Sequence, residues 1–195
     1  MRRLSHSLSY LLIRHPAKWR YDFLYPAVFS LILGAVIIAA GPNLNMAGDR
    51  GVLDQLNSLL GILVGFFIAA LAAVATFDRP SMDDPMLGVA PLMRIKEKGV
   101  SYDIPLSRRV FLSQLFGYLT VASLIVFTMG AVGQLSATAL EGTLTPKTYE
   151  WGRFAFIYAY TFGLANVLVN TLLGVFYLSF RIHDISSKRK SSSQP

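Results

Sequence analysis

Four long stretches of this chain carry no charged side chain: residues 23–48, 55–77, 110–140 and 154–180. Each exceeds the roughly 20 residues that an α-helix, rising about 1.5 Å per residue, needs to cross about 30 Å of hydrocarbon. One such stretch would read as the buried helix of a soluble protein. Four of them in 195 residues leave too little polar chain to wrap them. The pattern therefore predicts an all-α integral membrane protein with four transmembrane helices, at about 23–40, 56–77, 110–133 and 154–180, in one membrane domain over 23–180.

Local punctuation sets the limits of these spans. Pro26 sits in the first turn of span one, where a missing N–H costs little, and Gly41-Pro42-Asn43 stops it. Ser107 is placed to cap Arg108-Arg109-Val110-Phe111 at the start of span three. Stretches at about 41–54 and 135–150 read as short loops on one side, with Tyr149 and Trp151 at the boundary that aromatic residues favour. Between spans two and three, 78–109 form a loop of about 32 residues in which Pro80, Pro85, Pro91 and Pro105 break any long helix. Residues 86–95 and 100–104 are apolar enough to pack, and Lys98-Gly99 is placed to turn a small hairpin. This loop reads as an ordered cap or a docking surface, because a linker would be less apolar.

Charge orients the bundle. Of 18 Lys and Arg residues, fifteen fall on one side: Arg2, Arg3, Arg14, Lys18 and Arg20; then Arg79, Arg94, Lys96, Lys98, Arg108 and Arg109; then Arg181, Lys188, Arg189 and Lys190. Only Arg50, Lys147 and Arg153 fall on the other. Insertion retains basic loops in the cytoplasm, so the expected topology has both termini inside. The net charge of +7 is accounted for in this way, and no direct nucleic-acid binding is expected. Residues 1–22 read as a basic amphipathic segment, with Leu4, Leu8, Leu11 and Leu12 on one helical face, ended at His15-Pro16. The competing reading is an ordinary basic flank. Cleavage as a signal peptide is disfavoured by the long basic lead and by Pro42 where the cut would fall. The basic, serine-rich 181–195 read as a disordered cytoplasmic tail.

Candidate chemistry is sparse. Gly61, Gly65, Ala69 and Ala73 recur every fourth residue in span two, the spacing of a helix-packing seam within the chain or between copies. In span four Asn166 and Asn170 share a face with Gly163 and Gly174. An amide cannot be left unpaired in lipid, so that face must meet protein or water. Three uses are open: bonds to Ser, Thr or Gln of span three, pairing between copies, or the wall of a polar path. No acidic, basic or histidine side chain is expected inside a span, which argues against an ion-coupled carrier. His6, His15 and His183 lack acidic partners at metal-ligand spacing, and there is no phosphate loop or nucleophile elbow. Asp78, Asp83 and Asp84 read as solvated turn residues before a cation site. No enzyme activity, metal or cofactor is expected.

The run Ala75-Thr-Phe-Asp-Arg-Pro-Ser-Met-Asp-Asp-Pro-Met-Leu-Gly88, followed by Leu106-Ser-Arg-Arg-Val-Phe-Leu-Ser-Gln-Leu-Phe-Gly-Tyr-Leu119, is similar to small bacterial membrane proteins of anti-phage systems, the retron-associated effectors. The resemblance covers about 78–120 and carries no catalytic motif, so no site residue comes with it. It implies a toxin-like effector of the bacterial inner membrane, restrained by a cytosolic partner and acting by membrane damage. The partners expected are the lipid bilayer, and either a second copy of the chain or a cytosolic protein engaging 78–109. The other class of function is a membrane anchor or accessory subunit, and a small transporter or channel comes third.

Overall fold

The computed structural model describes residues 9–41, 44–48, 50–76, 82–84, 91–97, 100–143 and 145–191. Its elements are α1 (Tyr25–Ala40), α2 (Val52–Thr76), β1 (Leu92–Glu97), β2 (Val100–Pro105), α3 (Arg108–Thr143) and α4 (Pro146–Ser191). Four segments are long and apolar enough to cross a membrane: Arg20–Ala40, Val52–Thr76, Arg108–Ala137 and Pro146–Ser179. This is the architecture of a multi-pass membrane protein. Helix α2 packs on α3, α3 on α4, and α4 on α1. The first two spans, neighbours in sequence, thus take different partners.

The α2–α3 seam is a heptad. Leu53, Leu60, Phe67 and Val74 are buried at intervals of seven, with Asn57 between the first two. They meet Leu112, Phe116, Leu119, Ser123, Val126 and Gly130 of α3, all buried at alternating steps of four and three. A 3.5-residue repeat is the mark of nearly aligned helices whose side chains interdigitate. Gly61, Gly65 and Ala69 are exposed on the other face of α2, and a Cβ added at Gly61 or Gly65 would meet nothing within 4 Å. Within one copy of the chain the small-residue stripe is therefore not the seam. At 100° per residue it turns away from the heptad, and the large side chains of that heptad bury more area.

Close helix approach occurs at other glycines. A Cβ at Gly34 would lie 2.6 Å from the Tyr158 ring, and one at Gly163 would lie 2.6 Å from Val126. At Gly133 it would run into the Phe156 ring, and at Gly130 into the Asn57 amide and the Tyr160 ring. The α1 face that enters the bundle is Pro26, Ser30, Gly34 and Ile37. Ser30 bonds the Thr161 hydroxyl at 2.8 Å and the Tyr158 carbonyl at 3.1 Å, stitching α1 to α4.

Two boundaries differ from the sequence reading. The stretch expected as a loop at 135–150 is largely helical, since α3 runs to Thr143 and α4 starts at Pro146. Polar residues beyond the hydrocarbon do not stop a helix, and proline suits its first position. Similarly, α4 continues through Ser191, so most of the tail expected to be disordered is helical; no Gly or Pro interrupts 175–191. Residues 192–195 lie outside the described residues, as do 1–8 with the expected face at Leu4 and Leu8.

Strands β1 and β2 pair antiparallel, from Leu92↔Pro105 to Glu97↔Val100, around the position expected to turn. The hairpin adds a small sheet to the otherwise all-α expectation. Arg94 faces Asp103 across it at 3.2 Å. It is tied into the bundle at three points. Arg14 and Leu92 exchange backbone hydrogen bonds of 2.9 and 3.0 Å. The Leu106 N–H donates to the Pro91 carbonyl at 3.0 Å. The Gln114 amide reaches the Met93 sulfur at 3.3 Å. Ser107 caps α3, its Oγ accepting the Val110 N–H at 3.4 Å.

Candidate functional site: a buried polar cluster under the hairpin

The hairpin end of the bundle holds a group of polar side chains that no single helix would reveal. Asp22 lies in a π-helical turn, Arg20–Leu24, that runs directly into α1. It is only 3% exposed. Span one was expected to begin at 23 and its interior to be free of ionisable groups; the apolar segment instead includes Arg20 and Asp22, and Asp22 is buried. The carboxylate pairs with Lys18 one turn earlier, and the Tyr10 hydroxyl donates to it at 3.2 Å. A buried acid is stable only with such partners, because the cost of stripping its water is several kcal/mol.

Tyr10 and Ile13 enter the core, at 1% and 4% exposure. Residues 9–12 form a single 3-10 turn that sends Tyr10 inward and leaves Leu11 and Leu12 exposed. Of the face expected on 1–22, Leu11 and Leu12 point away from the bundle, and Tyr10 and Ile13 are the residues inserted between helices. The Tyr10 ring stacks on Tyr118 with centroids 5.0 Å apart, and Lys18 Nζ lies 4.5 Å above the Tyr10 ring. Burial, and after it the Asp22 carboxylate, push the Tyr10 phenol far above its ordinary pKa, so it remains a donor at physiological pH.

The same hydroxyl lies 2.9 Å from the Asn170 oxygen. Asn170, fully buried, sends its NH2 to the Asn166 carbonyl at 3.0 Å. Asn166 accepts from the Tyr118 hydroxyl at 2.7 Å and donates to the Asp22 backbone carbonyl at 2.8 Å. Both amides are therefore spent inside the bundle. Their partners differ from those expected on span three: Thr120 and Thr128 bond carbonyls of their own helix, Ser123 has no hydrogen-bond partner, and Tyr118 supplies the α3 donor. Gly163 and Gly174 do share the asparagine face, and both abut α3, at Val126 and at Leu115 and Phe116. The sequence signal for Asp22 is its position, four residues after Lys18 and directly before an apolar run.

A second linkage joins α2 to α3. Arg109 forks onto Asp83, at 2.7 and 3.1 Å, and also donates to the Val74 carbonyl at 3.0 Å. Asp83 is thereby committed to an arginine, while Asp78 lies outside the described residues. The Arg109 hydrogen bonds hold the Asp83 carboxyl below its ordinary 3.8. A depressed acid stabilises the fold fully above its unfolded value and loses that contribution as pH falls through the folded one. Hydrogen exchange at 82–84 and the first turn of α3, corrected for intrinsic rates, should be flat above pH 4 and accelerate below it, by a small factor for so exposed a pair. Flat protection down to pH 2 would show that the fork contributes nothing.

Among the described residues no group of three His, Cys, Asp or Glu side chains is placed to hold a metal ion. No protein-family model, curated protein or solved structure matches the chain.

Proposed function

We propose that this chain is a non-enzymatic effector of the bacterial inner membrane, controlled from the cytoplasm through its hairpin cap. The observation that carries this reading is the continuous path from cap to span four. The hairpin bonds Arg14, the segment after Arg14 carries Lys18 and Asp22, and Asp22 and Tyr10 hold Asn166 and Asn170. A cytosolic protein that grips or frees 78–109 would shift the groups that fix the α1–α3–α4 packing. The basic residues of all three segments on this side support a cytoplasmic cap with both termini inside. The anti-phage role implied by the resemblance belongs to the same proposal. So does self-association, for which the open Gly61, Gly65 and Ala69 face is available.

The anchor or accessory-subunit reading is favoured by one fact: the amides are satisfied internally, which suits a static core. A channel through one copy is disfavoured for the same reason. The test is induced expression in bacteria with a potential-sensitive dye, comparing wild type with Tyr10→Phe at equal insertion. Removing the hydroxyl takes away the one donor that the Asp22 carboxylate and the buried Asn170 oxygen share, at a cost of roughly 1–3 kcal/mol. The variant should melt earlier and alter both depolarisation and growth arrest relative to wild type. If both cultures stay polarised and grow, the anchor reading stands and the effector reading fails.

A further inference from the structure

A cavity of about 440 Å³ lies between the N-terminal segment, the start of α1 and the second half of α4. That is within the size range of small-molecule sites, about 300–1,000 Å³. Its walls are apolar and aromatic, with Ile13, Phe111, Val169 and Leu173 inside. Its mouth carries Tyr25, Leu172 and Phe176, which are 45%, 70% and 49% exposed on two membrane-spanning helices. The opening therefore faces the surroundings of the bundle, where lipid lies. At one end stand His15 and Lys18, which also border a second hollow of about 560 Å³ lined by Arg14 and Trp19. The acid at this end, Asp22, already has Lys18 and Tyr10 as partners, which leaves the exposed Arg14 to meet added negative charge.

The geometry points to a binding site for an anionic membrane phospholipid. One acyl chain fills the tyrosine-rimmed cavity, and the phosphate rests at Arg14 and His15, beside the Lys18 that is held by Asp22. Tyrosine and tryptophan at this level match the aromatic belt that bilayer boundaries favour, and a basic ridge beside it suits a phosphate. An apolar hollow of this size at a lipid-facing wall is filled most cheaply by the chains already in contact with it. The inference rests on the four-span reading and is independent of whether the protein depolarises membranes.

The test is native mass spectrometry of the purified full chain in detergent, with phosphatidylglycerol, phosphatidylcholine or oleate added. Wild type should retain one phosphatidylglycerol, about tenfold more tightly than phosphatidylcholine. Val169→Phe should fill the cavity and lose that retention, and Ala17→Phe should do the same from the opposite wall. Val175→Phe, outside the lining, should keep it. Arg14→Gln with His15→Gln should erase the preference for phosphatidylglycerol over phosphatidylcholine. Retention unchanged in both cavity-filling variants, with their melting intact, would overturn the proposal. So would equal retention of the two phospholipids by wild type, or preference for oleate, which would make the occupant a free fatty acid.

Discussion

Replacing Lys18 by Met is expected to destabilise the protein by about 3–5 kcal/mol, the usual cost of stranding one charge of a buried pair. Asp22 is buried, and without Lys18 its carboxylate keeps only the Tyr10 hydroxyl. The damage should spread, because Tyr10 and the Asp22 backbone also hold Asn170 and Asn166. Thermal unfolding in a mild detergent measures the loss. The double replacement Lys18→Met with Asp22→Leu is the decisive partner, since an apolar pair of similar volume often matches a buried ion pair in stability. It should recover most of the loss. If the single variant melts like wild type, the Lys18–Asp22 pair contributes nothing to stability and the cluster is not an ionic lock. If the double variant melts as low as the single one, packing at this corner matters more than charge.

The second large effect is expected at Gly130. A Cβ there would run into the Asn57 amide and the Tyr160 ring, the two groups joined by a 3.0 Å hydrogen bond between α4 and α2. Gly130→Val must separate three helices or rotate both partners away. Overpacking together with a broken buried bond should cost about 3 kcal/mol. Gly65→Leu is the informative contrast, with open space around its Cβ position. Within one copy it should change stability by less than about 0.5 kcal/mol. Any larger effect, or a loss of chemical cross-linking between copies in native membranes, would therefore report on association along that face. Equal melting of Gly130→Val and wild type would mean that the α2–α3 heptad adjusts freely at this end.

These two sites mark where sequence reasoning reached and where it stopped. The spans were legible because lipid imposes a one-dimensional rule, a charge-free run of sufficient length, and no tertiary knowledge is needed to apply it. The pairing of 92–97 with 100–105 and the Ser107 cap were legible because they are local, while Lys98-Gly99 itself lies outside the described residues. The asparagine pair was legible as buried, since an amide at that depth has to find partners. Its partners were not, because Tyr10 and Asp22 lie 160 and 144 residues away in sequence from the groups they meet. The burial of Asp22 was not legible, because nothing local says that the segment before span one turns back into the bundle. The glycines illustrate the same limit from the opposite direction. Periodicity identifies a face of small residues on α2 but not what that face touches, and the tight approaches fall at Gly34, Gly130, Gly133 and Gly163, where no simple repeat announces them.

The partner choice of the first span also sets an order of events during synthesis. Helix α1 emerges before the others, yet the helix it packs on is the last one made. Ser30 waits for Thr161, and Tyr10 for Asn170. Until the ribosome has delivered α4, α1 stands in the bilayer with Ser30 unpartnered by α4 and the Lys18–Asp22 turn without its asparagine roof. The α2–α3 unit, by contrast, is complete one helix earlier. Assembly of this bundle is therefore a late closure around its first span, and a chain that stops before α4 leaves that span's polar flank open.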